Sequence, residues 1–196
     1  MKILYALLTY LLGSLPTGYI LFLITEKKDI RNFGSHSTGA TNVLRLKGWK
    51  FALPVLAIDL LKGAIPVFIA LRLFEDQGFS VICAFLAVVG HCFPVYLKFK
   101  GGKGVATTVG VYSVLAFKPF LLSLAVFVFV VLITRYVSLA SLLSTILFPL
   151  FVFLLPGDIQ IIGLGIAVFA LVAFRHRENI GRLVRGTERK IGESAR

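Results

Sequence analysis

The chain has 196 residues, 58% of them hydrophobic, and a formal net charge of +12. Several apolar runs reach the roughly 17 to 25 residues that a helix needs to cross a bilayer, which excludes a soluble globular domain. Their continuity also excludes a β-barrel, whose strands would alternate apolar and polar positions.

The pattern is that of an all-α, polytopic integral membrane bundle in a single domain, 1–196. Helices are expected near residues 3–24, 51–74, 79–97, 105–117, 120–134, 137–155 and 159–174. That makes about seven spans, with five as the alternative if some merge or insert halfway. No small-x-small cleavage site follows the first run, so it reads as a span and not as a signal peptide. Lys118-Pro119 divides the fourth run from the fifth, because proline cannot continue a helix. Cys83 and Cys92 are nine positions apart in one helix, on opposite faces and too far apart to bridge.

Basic residues fix the expected orientation. Segment 25–50 carries Lys27, Lys28, Arg31, Arg45, Lys47 and Lys50, and segment 98–104 carries Lys98, Lys100 and Lys103. Arg135 and a tail with Arg175, Arg177, Arg182, Arg185, Arg189 and Lys190 fall on the same side. The N-terminus is therefore expected outside and the C-terminus in the cytoplasm.

Three polar constellations interrupt the apolar runs. The first is GSHSTGATNVLR, residues 34–45. Ser35, His36, Ser37, Thr38, Thr41 and Asn42 lie between two glycines, a composition that hydrogen-bonds a polar ligand without filling its space. Thr41 or Asn42 could cap a helix starting at Val43, and Arg45, about one turn on, offers bidentate contacts to phosphate. The alternative is a capped turn before an interfacial helix.

The second is KFKGGKGVATT, residues 98–108. A glycine-rich backbone lets N–H groups approach an anion closely, and Lys103 adds charge. A Walker A loop is excluded, because Gly102-Lys103 is followed by Gly104 and not by Ser or Thr. The alternative is a connector whose lysines only set topology. The third constellation is RHRENIGRLVRGTE, residues 175–188, in which His176, Asn179 and Arg182 share a helical face. A basic tail lying on anionic headgroups explains its arginines, but not His176 and Asn179 at the membrane exit.

Within the spans, Asp59 and Lys62 stand one turn apart, as a structural ion pair or as part of a site. His91 lies one to two turns from the glycine loop and reads first as a packed residue. The histidines and cysteines lack ligand spacing and no His-Glu-x-x-His occurs, so no metal site is expected.

Together, GSLPTGYI, GATNVLR, DLLKG, GHCFPVYLKFKGGKGVATT and HRENIGRLVRGTE resemble the bacterial membrane glycerol-3-phosphate acyltransferase family that uses acyl phosphate as donor, commonly called PlsY. His36 and Ser37 stand where that family usually has Gly-Asn. The resemblance implies transfer of a fatty acyl group from acyl phosphate to the 1-hydroxyl of sn-glycerol 3-phosphate, giving lysophosphatidic acid and phosphate for phospholipid synthesis.

The resemblance also implies catalytic roles for Ser35, Arg45, His176 and Asn179. Substrate binding falls to Ser37, Thr41, Asn42, Gly101, Gly102, Lys103 and Gly104, and Glu188 has a structural part. His36, His91, Asp59 and Lys62 are further candidates. The expected partners are the two substrates and the lipid bilayer, with no cofactor, nucleic acid or obligatory protein partner. The expected location is the bacterial inner membrane, with the site facing the cytoplasm.

No His-x-x-x-x-Asp dyad is present: Thr41, Tyr96 and Gly181 lie five residues after the three histidines. The hydroxyl proton is left to His176, to His91 or to a substrate phosphate, and the good leaving group favours a weak base or none. The rival reading is a small-anion transporter or channel with basic gate loops. It would require a midplane site between repeats, and no repeat is visible.

Overall fold

The computed structural model describes residues 1–155 and 157–193, and these are helical with no strand. They form two compact units, Met1–Val111 and Tyr112–Glu193. Among the described residues, five helical segments are long and apolar enough to cross a membrane, with Lys2–Glu26 counted as one, or six if one bent pair counts as a span.

The first unit holds α1 (Lys2–Gly13), α2 (Thr17–Glu26), α3 (Ala40–Lys47), α4 (Trp49–Phe74), α5 (Gln77–Cys92) and the start of α6 (Val105–Leu115). The first apolar run is thus not one straight helix. It breaks at Ser14–Pro16, where proline drives its predecessor out of the helical region and lacks an N–H to continue the ladder. Ser14 Oγ donates to the Tyr10 carbonyl at 2.8 Å and quiets part of the exposed end.

Helix α5 packs against α1 and α4, while α3 and α2 lie against α4. Glycines bring the backbones together. An added Cβ on Gly13 would sit 2.4 Å from the Ala87 carbonyl oxygen, and one on Gly90 equally close to that of Tyr10. Small residues permit such approaches where lipid supplies no hydrophobic drive between helices. Tyr5 reinforces the contact: its hydroxyl donates to the Pro66 carbonyl at 2.6 Å, and its ring meets Phe74 edge-on.

The second unit holds α7 (Phe117–Thr134), α8 (Val137–Leu154), α9 (Ile159–Arg175) and α10 (Arg177–Val184). Helices α7 and α9 flank α8, and α10 touches both α8 and α9. Pro119 does not divide the runs as expected. The break falls at Ala116, and Pro119 sits in the first turn of α7, where a missing N–H costs nothing. Arg135 turns the chain between α7 and α8 in the left-handed region, φ 61°. Tyr112 and Phe148 stack face to face, ring centroids 3.4 Å apart, and both are buried. Ser141 and Thr145 on α8 donate back to carbonyls four residues earlier, which lets hydroxyls enter an apolar interior.

All seven expected segments are helical, but α6 has only 11 residues, short for a crossing. Cys83 and Cys92 are both buried and are not joined by a disulfide.

Candidate active site

Each unit carries its own set of polar residues. In the first, the loop before α3 is organised by Asn42, which is 1% exposed. Its Oδ1 accepts from the Ser35 N–H at 2.8 Å, and its Nδ2 donates to the carbonyls of Phe33 and Ser37 at 3.1 and 2.8 Å. These bonds commit both amide hydrogens to backbone. Asn42 therefore builds the loop and presents Ser35, and it is not placed to donate to a ligand. Nor do Thr41 and Asn42 cap a helix at Val43: α3 starts at Ala40 with Gly39 as its cap, and both residues lie in the first turn.

Ser37 Oγ accepts from the Gly39 N–H, and Arg45, Ser35 and Thr41 are half-buried along the same segment. His36 is exposed and left-handed, φ 55°, with Nδ1 2.8 Å from the Arg31 carbonyl. A glycine would take that conformation without cost, and the imidazole's bond to backbone compensates where glycine is absent.

Arg31 ties this loop to the next. It grips Asp29 through Nε and Nη2, stands over the Tyr19 ring, and donates to the Leu97 carbonyl at 3.4 Å. The guanidinium holds the Asp29 carboxyl below the usual carboxylate range.

The glycine loop folds back on the end of α5. Lys98 and Phe99 both adopt positive φ, 52° and 62°, an unusual pair for side-chain-bearing residues. The Gly101 N–H then donates to the Cys92 carbonyl at 3.2 Å, and the Gly102 N–H to that of His91 at 3.1 Å. These two amides close the loop, and the expectation that they point at an anion is corrected accordingly. Gly104, φ 87°, opens α6 by accepting from the Thr108 N–H at 2.8 Å. The first turn of α6 is left to offer amides to an anion beside half-buried Lys103.

Beneath this loop lies the charged pair. Asp59 and Lys62 are 1% and 7% exposed, with Nζ 2.8 Å from Oδ1. A lone charge at mid-bilayer costs about 2.5–3.5 kcal/mol, and removing one partner of a buried pair costs more still. Here each also mends the break in the first run. Lys62 Nζ donates to the Leu15 carbonyl at 2.7 Å, and Asp59 Oδ1 accepts from the Thr17 hydroxyl at 3.1 Å. The pair is a structural clasp for the α1–α2 break. His91, 6% exposed, places Nδ1 3.7 Å from Asp59 Oδ1.

The second unit gathers His176, Asn179, Arg182 and Glu188. His176 is 2% exposed at the α9–α10 junction, and its Nδ1 lies 2.8 Å from the Val172 carbonyl. A carbonyl oxygen only accepts, so Nδ1 carries a hydrogen in this contact. Glu188 Oε1 accepts from Asn179 Nδ2 at 2.6 Å and Ser138 Oγ at 2.9 Å, and Oε2 accepts from Arg182 Nε at 2.7 Å. Burial pulls its carboxyl up, but the three donors outweigh that and hold it below the usual range. Sequence reasoning missed Ser138 and Thr17. Each is a lone hydroxyl in a run where many others bond only to their own helix, and nothing in the residue order separates the two kinds.

With five helical segments able to cross a bilayer among the described residues, the chain is a polytopic membrane protein. Residues 3–186 match the family model described as glycerol-3-phosphate acyltransferase. A glycerol-3-phosphate acyltransferase of Thermoanaerobacter pseudethanolicus is 44% identical over 191 residues, covering 97% of this chain and 96% of the relative. The crystal structure of PlsY, an integral membrane glycerol 3-phosphate acyltransferase, in its glycerol 3-phosphate form superposes with a TM-score of 0.93 at 40% identity, covering 97% and 96% of the two chains. Its lysophosphatidic acid form gives 0.88 at 38% identity, with 97% and 95% covered. The chain belongs to the glycerol-3-phosphate acyltransferase family and is an integral membrane acyltransferase. Of the candidate residues, only Glu188 lies beyond the matched segment.

Proposed function

We propose that the protein transfers a fatty acyl group from acyl phosphate to the 1-hydroxyl of sn-glycerol 3-phosphate, releasing lysophosphatidic acid and inorganic phosphate. The observation that carries this reading is the pairing of two loops in the first unit. One is a hydroxyl-rich loop stitched by Asn42 ahead of Arg45, and the other is a glycine loop that delivers Lys103 to the start of α6. Family membership supports the acceptor and favours an enzyme over the transporter alternative.

The chemistry asks little covalent help from the protein. The acceptor oxygen attacks the acyl carbonyl carbon, the bond from that carbon to the phosphate oxygen breaks, and phosphate departs with the electron pair. The hydroxyl proton passes to a substrate phosphate or to Nε2 of His176. Because the mixed anhydride is already activated, positioning and charge stabilisation supply most of the barrier reduction. Lys103, Gly104 and the α6 N-terminus hold the phosphate of glycerol 3-phosphate, with Ser35, Ser37, Thr41 and Arg45 as further substrate contacts. Asn179, oriented by Glu188, and His176 are the catalytic residues that the second unit carries. Seven crossings, an outer N-terminus and a cytoplasmic C-terminus in the inner membrane put the basic segments beside the soluble substrate.

The test is turnover by purified protein in a lipidic medium, with glycerol 3-phosphate and either acyl phosphate, acyl-CoA or acyl-carrier protein. Phosphate release with acyl phosphate alone is expected. Turnover with acyl-CoA and none with acyl phosphate would overturn the donor assignment. Lys103→Ala is expected to raise the KM for glycerol 3-phosphate about tenfold, the equivalent of roughly 1.4 kcal/mol. An unchanged KM removes the phosphate role from this lysine.

A further inference from the structure

His91 belongs to neither phosphate-bearing segment, yet it lies between two things that matter. One edge of its ring faces the buried Asp59–Lys62 clasp, with Nδ1 3.7 Å from Asp59 Oδ1. The other edge lies under the glycine loop: a Cβ added to Gly102 would fall 2.1 Å from His91 Nε2 and within 3.0 Å of both neighbouring ring carbons. Gly101 is similarly tight, its added Cβ 2.3 Å from the His91 carbonyl oxygen and from Pro94 Cδ. The loop therefore rests on this residue through both backbone and ring, and glycine is required at 102 because an imidazole already fills the side-chain space. The ring is 6% exposed and flanked by a charge pair that is itself fastened to Leu15 and Thr17, so it has little room to tilt.

We propose that His91, seated on the Asp59–Lys62 pair, is a positioning residue. It sets the height of Gly102 and, through it, the placement of Lys103 and the first turn of α6 against the glycerol 3-phosphate phosphate group. The inference rests on the reading that the glycine loop holds that phosphate. A support of this kind governs ground-state affinity for one substrate. Its loss raises one KM and leaves kcat and the donor KM in place. A purely structural residue lowers the amount of folded enzyme and leaves both KM values unchanged.

The experiment compares wild type, His91→Ala, His91→Gln and Lys103→Ala as full-length proteins in a lipidic medium, each first shown to be monodisperse and to melt cooperatively. Turnover is followed against glycerol 3-phosphate at saturating acyl phosphate, and then against acyl phosphate. His91→Ala is expected to raise the glycerol 3-phosphate KM about tenfold with kcat within about twofold. His91→Gln, whose amide reaches the Nε2 position, is expected to restore most of the affinity. A raised KM in Lys103→Ala with an unchanged KM in His91→Ala overturns the inference alone. Unchanged KM in both overturns the glycine-loop reading and the inference with it. If His91→Ala does not fold, the double variant Asp59→Asn/Lys62→Gln decides. It removes both charges together and keeps polar groups of similar size. A glycerol 3-phosphate KM raised about threefold supports the support role, and a wild-type value refutes it.

Discussion

Replacing Glu188 tests the second unit's polar network most directly. In Glu188→Ala two donors, Asn179 Nδ2 and Ser138 Oγ, lose their acceptor in a site where Glu188 and Asn179 are 7% and 3% exposed. A buried donor left unsatisfied costs about 1–3 kcal/mol. Arg182, with a side chain 30% exposed, regains water and adds at most about 1 kcal/mol. The sum is a loss of about 2–7 kcal/mol, or a fall on the order of 10 °C in melting temperature for a chain of this size. Glu188→Gln separates the parts. Its carbonyl can still accept from Asn179 and Ser138 at the Oε1 position, whereas its amide meets the Arg182 donor, so only about 1–3 kcal/mol is lost. Thermal unfolding in detergent, followed by circular dichroism, gives the order wild type, Gln, Ala. Equal melting of Ala and wild type, or equal damage by Gln and Ala, would refute the reasoning.

The same carboxylate sets an acid limit. Because its folded pKa is depressed, its contribution is present above the ordinary glutamate range and is lost as pH falls through the lowered value. Melting temperature against pH should show an acid limb in wild type that flattens in Glu188→Gln. Asn179→Ala is expected to reduce kcat by about a hundredfold in protein that still folds, checked by phosphate release per folded enzyme. Phe148→Ala removes the stacked partner of Tyr112 at a fully buried position and should cost about 3–5 kcal/mol, read from thermal unfolding.

The helical segments were legible because apolar runs of membrane length leave few alternatives, and every expected run is mainly helical, the first of them as two helices. What escaped is where chain breaks fall and how they are repaired. The first run was expected as one span, 3–24; it breaks at Ser14–Pro16, and the repair depends on Lys62, which no local pattern links to Leu15. The candidate residues were visible as types: glycines, hydroxyls, cations and an amide beside a span. Their individual work was not. Asn42 reads as a ligand donor and proves to be a loop builder, because only coordinates show both its hydrogens spent on carbonyls. Gly101 and Gly102 read as anion cradles and prove to be the turn that brings Lys103 round. Asp59 and Lys62 were correctly seen as a pair, but not the break they close.

That closure bears on how the chain is made. When the first hydrophobic segment leaves the ribosome, the Leu15 carbonyl can accept only from the nearby Thr17 N–H, at 3.1 Å, and its second donor, the Lys62 amine, lies 47 residues downstream. At synthesis rates of about 5–20 residues per second, the delay before Lys62 follows is roughly 2–9 s. During that interval the break is held by the Thr17 amide alone, and the Thr17 hydroxyl still lacks Asp59. The break in the first transmembrane segment is therefore completed only after the second has followed, by the arrival of one lysine and one aspartate.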